Sequence, residues 1–432
     1  MESFSKFIIS HYTRNPSTLK AQFYYSFDEK EKFIEEIDFS PLKGDFWLRN
    51  NQDEDIKHIL SHIHIALWVS YYKLFPTKEI LVKTISLDEK QKNFWNTFYL
   101  KWLWEFFYRN ELNPNWLANF LSQDWEVKIR DINFNANKSL VLFWWGKDSL
   151  VTLELLKQEK EKFDLFSFWK DFPLHELAAS NTWEKRLIIK RSLDINQIKK
   201  LIENWYYNGH LPITGIISFV SILVWYLYWY KRVITSLEKS ADEWNTTYYW
   251  FEINHQRSKS SEFENMFNDY VAKYISKWFS SYSPLRQWYE IKIVKEFCKY
   301  SQYFKTFSSC NRNFHIEGSK LTENQLRCGI CPKCLFVYTM MRAFLWKEIV
   351  NEIFWKDILE DISNVELFKE LLWIQWIKPF ECVWTNEEMV LAFRLIFNNE
   401  PTLDNEIMNL YKMKILSEMT DDEFKKLEGK LL

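Results

Sequence analysis

Seven glycines in 432 residues leave a chain few places where its backbone can turn through positive φ, and this shortage constrains the fold more than any other feature of the sequence. A soluble protein of this length ordinarily carries about 7% glycine, roughly 30 residues. Tryptophan is in excess by a matching margin, so that the 23 Trp and 7 Gly together make up the usual glycine complement. Many of the Trp also stand in turn-like contexts: Asp242-Glu243-Trp244-Asn245, Tyr228-Trp229-Tyr230-Lys231, Leu372-Trp373-Ile374-Gln375-Trp376 and Val383-Trp384-Thr385. Glycine suits such positions and an indole does not. The expectation is a source that reads UGA as glycine, its message written out with a code in which UGA means tryptophan. A protein truly rich in Trp would leave both the glycine deficit and the turn placement unexplained.

The length has room for two or three domains of about 100 to 200 residues. With 56 basic and 58 acidic residues the formal net charge is -2, so no global positive field exists to hold a phosphodiester backbone, and a nucleic-acid partner is not expected. The first 25 residues lack a basic n-region, an apolar h-region and a small-residue cleavage site, which makes the cytoplasm the expected compartment. Six cysteines are too few for a disulfide scaffold, and four of them fall between positions 310 and 334, the pattern of a metal site in a reducing compartment.

Along the chain, polar and apolar residues alternate over Ala21 to Phe27 and Phe33 to Phe39, which predicts a small β-hairpin unit. Residues 55 to 122 carry helical spacing with many aromatics. From Lys138 the pattern changes to a short apolar strand over Ser139 to Phe143, a loop, and a helix from about Ser149 to Lys160. Strands follow at Asp164 to Phe168, Arg186 to Lys190 and Arg232 to Ser236, with a long apolar helix over about 213 to 228. Alternating strands and helices predict an α/β protein with a parallel, Rossmann-like sheet. The apolar run from Leu211 to Tyr230 is interrupted by Thr214, Ser218 and Ser221, so a crossover helix buried against the sheet is expected there and a membrane span is not. The domain boundaries expected are 1 to 130, an α+β unit; 131 to 305, the α/β unit; and 306 to 432, a Cys-rich and then helical region.

The junction of strand and helix carries Phe143-Trp144-Trp145-Gly146-Lys147-Asp148-Ser149. With glycine at 144 and 145 it becomes a glycine-rich loop leading into a helix N-terminus, where backbone N–H groups and the helix dipole favour an anion. In that setting Trp144, Trp145, Gly146, Lys147, Asp148 and Ser149 would bind ATP: Lys147 neutralising phosphate, Asp148 holding Mg2+, Ser149 donating to a phosphate oxygen. Asp148 separates Lys147 from the hydroxyl, so the loop is not a Walker A motif. It resembles the PP-loop ATP pyrophosphatase superfamily (HUP type), and the resemblance implies adenylation of a carboxylate, carbonyl or amide oxygen with release of pyrophosphate. Cys310 with Cys328-Gly329-Ile330-Cys331-Pro332-Lys333-Cys334 supplies four thiols suited to a tetrahedral zinc ion, an iron-sulfur cluster being the alternative.

Polar clusters interrupt apolar surroundings at Lys190 to Asp194, Asn208 to Thr214, Glu238 to Asp242 and Asn254 to Ser260. Their basic and hydroxyl side chains suit diphosphates and carboxylates, with Arg191, Asn208, Arg257 and Lys259 as candidate substrate ligands. With these segments in view, and with Val69-Ser70-Tyr71-Tyr72-Lys73, the chain resembles the UDP-N-acetylmuramoyl-L-alanyl-L-glutamate epimerase (MurL) family over nearly its whole length. The resemblance implies a small-molecule substrate, UDP-MurNAc-L-Ala-L-Glu, whose terminal glutamate is inverted with ATP and Mg2+ for peptidoglycan synthesis. The Trp at loop positions departs from the pattern. Candidates for moving the Cα proton are His210 and His255, then Cys298 and Cys382. Another adenylating PP-loop enzyme, such as a 7-cyano-7-deazaguanine synthase or a tRNA-modifying enzyme, is the alternative.

Overall fold

The computed structural model describes residues 3–15, 17–40, 53–116, 119–122, 132, 136–144, 146–169, 182, 184–209, 211–308, 310, 326–374 and 385–432. Trp145, His210 and Cys382 lie outside the described residues.

A ten-stranded mixed sheet organises the chain. Its first strands are β1 (Lys6–Asn15), β2 (Lys20–Phe27) and β3 (Glu31–Asp38), an antiparallel meander that contains the hairpin read from the alternation and one strand more. Helix α1 (Asp53–Leu67) and the short α2 (Val69–Tyr72) lead to β4 (Glu79–Val82). Then come α3 (Glu89–Trp102), α4 (Trp104–Arg109) and β5 (Asn119–Ser122). The expectation of helix throughout 55 to 122 thus missed β4 and β5; each is four residues long and is defined by parallel pairing, β4 with β1 and β5 with β4. Such short pieces carry no periodicity of their own.

The second half of the sheet is the alternating one: β6 (Ser139–Leu142), α5 (Lys147–Gln158), β7 (Phe163–Trp169), β8 (Arg186–Ser192), α6 (Ile195–Glu203), α7 (Ile213–Tyr228) and β9 (Val233–Ile234). A small hairpin, β10 (Thr246–Tyr248) with β11 (Phe251–Ile253), precedes α8 (Ser261–Tyr274), β12 (Ser281–Tyr282) and α9 (Glu290–Phe297). Strand order is β12-β9-β6-β7-β8-β3-β2-β1-β4-β5. Strands β12 through β8 run parallel, and β8 meets β3 antiparallel, so the sheet passes without interruption across the boundary expected at residue 130.

Why β6 is buried at every position, and apolar after Ser139, follows from what covers it. Leu140 and Leu142 point into one hydrophobic core with α7, whereas Val141 and Phe143 point into the other with α5 and α9. A strand buried on both faces reads as a continuous apolar run. Helix α7 is buried along nearly its full length, including Ser218 and Ser221, whose hydroxyls return hydrogen bonds to the carbonyls of Thr214 and Ser218. Among the described residues no helix is long and apolar enough to cross a membrane. The second core also takes in the helical C-terminal region: α10 (Pro332–Arg342), α11 (Lys347–Phe354), α12 (Val365–Leu371), α13 (Asn386–Asn399), α14 (Glu406–Tyr411) and α15 (Asp421–Leu431).

The glycine shortage has a structural counterpart. Twelve described non-glycine residues have positive φ, and six of them are Trp: Trp169, Trp205, Trp229, Trp250, Trp355 and Trp373. Trp205 and Trp373 each follow a helix in a Schellman arrangement. After α6, Trp205 N–H donates to Ile202 O and Tyr206 N–H to Leu201 O; after α12, Trp373 N–H donates to Glu370 O and Ile374 N–H to Lys369 O. That position is the one at which helices ordinarily carry glycine.

Candidate active site

The carboxyl ends of parallel strands are where α/β sheets take ligands. Here the segments after β6, β9 and β12 meet. Gly146 is the N-cap of α5, extended in φ and ψ, with no side-chain cap of its own, and a side chain at that position would meet nothing within 4 Å beyond its chain neighbours. The loop folds on itself through Trp144 N–H, which donates to Ser149 Oγ at 3.2 Å. A helix N-terminus at such a loop is the kind of place where backbone N–H groups can take an anion.

Lys147 is buried, and its ammonium donates to Asp148 Oδ1 at 2.7 Å and to Glu290, the first residue of α9. Burial opposes the charge on Lys147, but the carboxylates of Asp148 and Glu290 outweigh it and hold the ammonium above its ordinary range. Glu290 is pushed well up by burial and by Asp148, with Lys147 pulling the other way. Asp148 keeps partial exposure at the mouth of the loop, while Ser149 is buried. Two further contacts fix Glu290: its N–H donates to Ser240 Oγ in the segment after β9, and Ile291 N–H donates to Glu388 Oε1 from the C-terminal region. Glu290, Ser240 and Glu388 carry no motif, and only the meeting of elements about a hundred residues apart marks them.

The segment carrying Ser240 reaches the next cluster, because Asn254 Nδ2 donates to Ala241 O at 2.9 Å. His255 follows, its Nδ1 at 2.5 Å from Glu105 Oε2 of α4. An imidazole oriented by a carboxylate is a competent proton carrier. Glu105 also takes Arg109 Nε at 2.7 Å. The same helix underlies Asn208 and Gly209: Asn110 Nδ2 donates to Asn208 O, and a side chain at Gly209 would strike Phe106 at 2.7 Å. Asn208 Oδ1 and Gly209 O both accept from Lys73 Nζ, at 2.7 and 2.9 Å. Lys73, whose ammonium burial and the neighbouring Arg191 push down to about 8, was assigned no role from sequence.

The other predicted residues are placed differently. Arg191 has no exposed side-chain surface: Nε donates to Glu35 Oε1 at 2.5 Å and Nη2 to Ser70 Oγ at 2.6 Å, so as it stands it is held inside the fold. Arg257 pairs with Glu262 beside the Trp104 ring, and Lys259 donates to Gln256 Oε1 at 3.0 Å. Burial pushes the Cys298 thiol up to about 12, leaving it protonated near neutral pH.

Cys310, Cys328, Cys331 and Cys334 come together with all four sulfurs within 4.8 Å of one another. Cys328 Sγ and Cys334 Sγ are 3.8 Å apart. Zinc-thiolate bonds of about 2.3 Å in a tetrahedron set the sulfurs roughly 3.8 Å apart, so the four residues fit that ion. Gly329, at φ +64°, makes the turn between ligands, and Pro332 opens α10 directly after Cys331. Arg327 closes the site by donating to Phe307 O and Ile353 O.

The geometry defines a class: an α/β protein with a strand-to-helix loop at the carboxyl edge of its parallel strands and four clustered cysteines beside its C-terminal helices. Residues 1–284 match the MurL N-terminal domain and residues 306–426 the MurL C-terminal domain. The chain belongs to the MurL family. It is 30% identical over 402 residues to UDP-N-acetyl-alpha-D-muramoyl-L-alanyl-L-glutamate epimerase of Xanthomonas oryzae pv. oryzae, covering 92% of this chain and 88% of that one. Proteins of the same name from Micromonospora sp. and Salinispora tropica are 30% and 29% identical, over 81% and 90% of this chain and 77% and 84% of theirs.

Proposed function

We propose that this chain inverts the terminal L-glutamate of UDP-MurNAc-L-Ala-L-Glu with consumption of ATP, as a cytoplasmic enzyme of peptidoglycan precursor synthesis. The single observation that carries the reading is similarity to proteins bearing that epimerase name across both matched regions. The Cα hydrogen of a carboxylate is hard to remove, because the carbanion would form beside an existing negative charge. If a carboxylate oxygen attacks the α-phosphorus of ATP, pyrophosphate leaves and that charge is gone. A base then takes the Cα proton, a proton is delivered to the opposite face, and water cleaves the acyl-adenylate to D-glutamate and AMP.

In this reading the loop from Trp144 to Ser149 is a PP-loop. Gly146 and the first turn of α5 face the phosphates, Lys147 supplies positive charge, and Asp148, partly exposed beside it, would hold Mg2+, which offsets phosphate charge. His255, oriented by Glu105, is the described candidate for proton transfer, and His210 of the sequence motif Asn208-Gly209-His210 is the other. The four cysteines would hold a structural zinc ion. Residues 144, 145, 169, 205, 229, 250, 355 and 373 are glycine in the native protein; the positive φ of the last six supports this directly, since an L side chain disfavours that region.

Turnover in deuterated water tests the proposal. The product should be D-glutamyl, carry deuterium at Cα and appear with AMP, and omission of ATP should stop exchange and inversion together. AMP formed while the glutamate stays L and unlabelled would point to a different adenylated acceptor. ADP as the nucleotide product would reject the loop assignment.

A further inference from the structure

Arg191 and Lys73 form a buried cationic pair with too little negative charge around it. Arg191 Nε and Nη2 are taken by Glu35, Ser70 and the Leu67 carbonyl, while Nη1 is buried without a partner. Lys73 Nζ reaches only neutral oxygens, Asn208 Oδ1 and Gly209 O, and meets no carboxylate among the described residues. Arg191 is thus paired with Glu35 while Lys73 adds a second buried cation, and a net buried charge is costly unless an anion offsets it. Burial, and after it the repulsion of Arg191, depress the Lys73 ammonium. Over the Arg191 guanidinium lies the Trp169 ring, at 4.7 Å, on the last residue of β7. Trp169 has φ +112°, a backbone conformation essentially reserved for glycine.

We propose that glycine at position 169 uncovers a subsite for one carboxylate, formed by Arg191 Nη1 and Lys73 Nζ at the carboxyl ends of β7 and β8. One free guanidinium nitrogen, Nη1, and one surplus positive charge match one carboxylate better than a diphosphate, which would call for two charges. Resting on the epimerase reading, the group is the γ-carboxylate of the terminal glutamate, left ionised when the α-carboxylate is adenylated. The subsite would hold the side chain while the Cα proton is exchanged, and would reject glutamine in its place.

Binding of UDP-MurNAc-L-Ala-L-Glu and of UDP-MurNAc-L-Ala-L-Gln to Trp169→Gly protein tests this, by calorimetry without ATP so that chemistry plays no part. The glutamyl ligand should bind about tenfold or more tightly than the glutaminyl one, the worth of one charge-assisted hydrogen bond. Lys73→Met in the same background should bring the two close to equal, with circular dichroism confirming a retained fold. The literal Trp169 protein should discriminate poorly. Equal binding of both ligands to Trp169→Gly protein, or discrimination that survives Lys73→Met, overturns the subsite. Peptide mass spectrometry of protein from its native host showing Trp at 169 overturns its glycine premise. Failure to bind either ligand, or UDP alone binding as tightly as both, would count instead against the UDP-muramoyl dipeptide as substrate.

Discussion

Trp205→Gly should make the protein more stable. The residue ends α6 at φ +68° and is 86% exposed, so its indole buries little that would be lost. An L residue in the left-handed region costs about 1–2 kcal/mol, whereas glycine gives back about 0.5–1 kcal/mol through the greater freedom of the unfolded chain. The net gain is about 0.5–1 kcal/mol. Urea unfolding followed by tryptophan-independent far-UV circular dichroism should therefore move to a higher midpoint at unchanged slope. Trp205→Ala separates strain from surface hydrophobicity, since it removes the indole and keeps the left-handed strain; it should gain nothing. Trp95 is the contrasting case, fully buried in α3 with Nε1 donating to Tyr270 Oη at 3.0 Å. Its replacement by glycine should cost about 3–5 kcal/mol, the range of large-to-small core changes. If Trp205→Gly lowers the midpoint, or if alanine stabilises as much as glycine, the reasoning from backbone conformation to native glycine fails.

Asp148→Asn should lower AMP formation about a hundredfold or more with the fold retained by circular dichroism, because the proposed role of Asp148 at the mouth of the loop is to hold a metal ion; unchanged turnover would remove it from the site. Glu290→Gln removes one of the carboxylates bonded to the buried Lys147 ammonium while Asp148 still accepts from it, and breaking such a pair costs about 3 kcal/mol, read from a lowered urea midpoint. Cys334→Ser should abolish about one zinc per chain by elemental analysis and leave α10 open to proteolysis. Iron with sulfide in the unaltered protein, or no metal, would overturn the zinc assignment.

Much of this protein is written locally. Alternation in β2 and β3, the doubly buried runs of β6 and β7, the apolar length of α7 and the start of α5 after β6 follow from side-chain periodicity within a dozen residues, so they are legible in the sequence. The four cysteines are legible for the same reason, three of them lying within seven residues. Tertiary structure decided the rest. Strand β12 is two residues long and exists because β9, which lies inside the strand read at Arg232 to Ser236, offers it a paired edge. The join of β3 to β8 makes one sheet of what reads as two units, and no local pattern announces which edge a strand will choose. Lys147 finds Glu290, Lys73 finds Asn208 and Arg191 finds Glu35 across more than a hundred residues each, and His255 finds Glu105 likewise. A buried charge selects its partner by desolvation and distance in the packed core, quantities that exist only once the chain has folded.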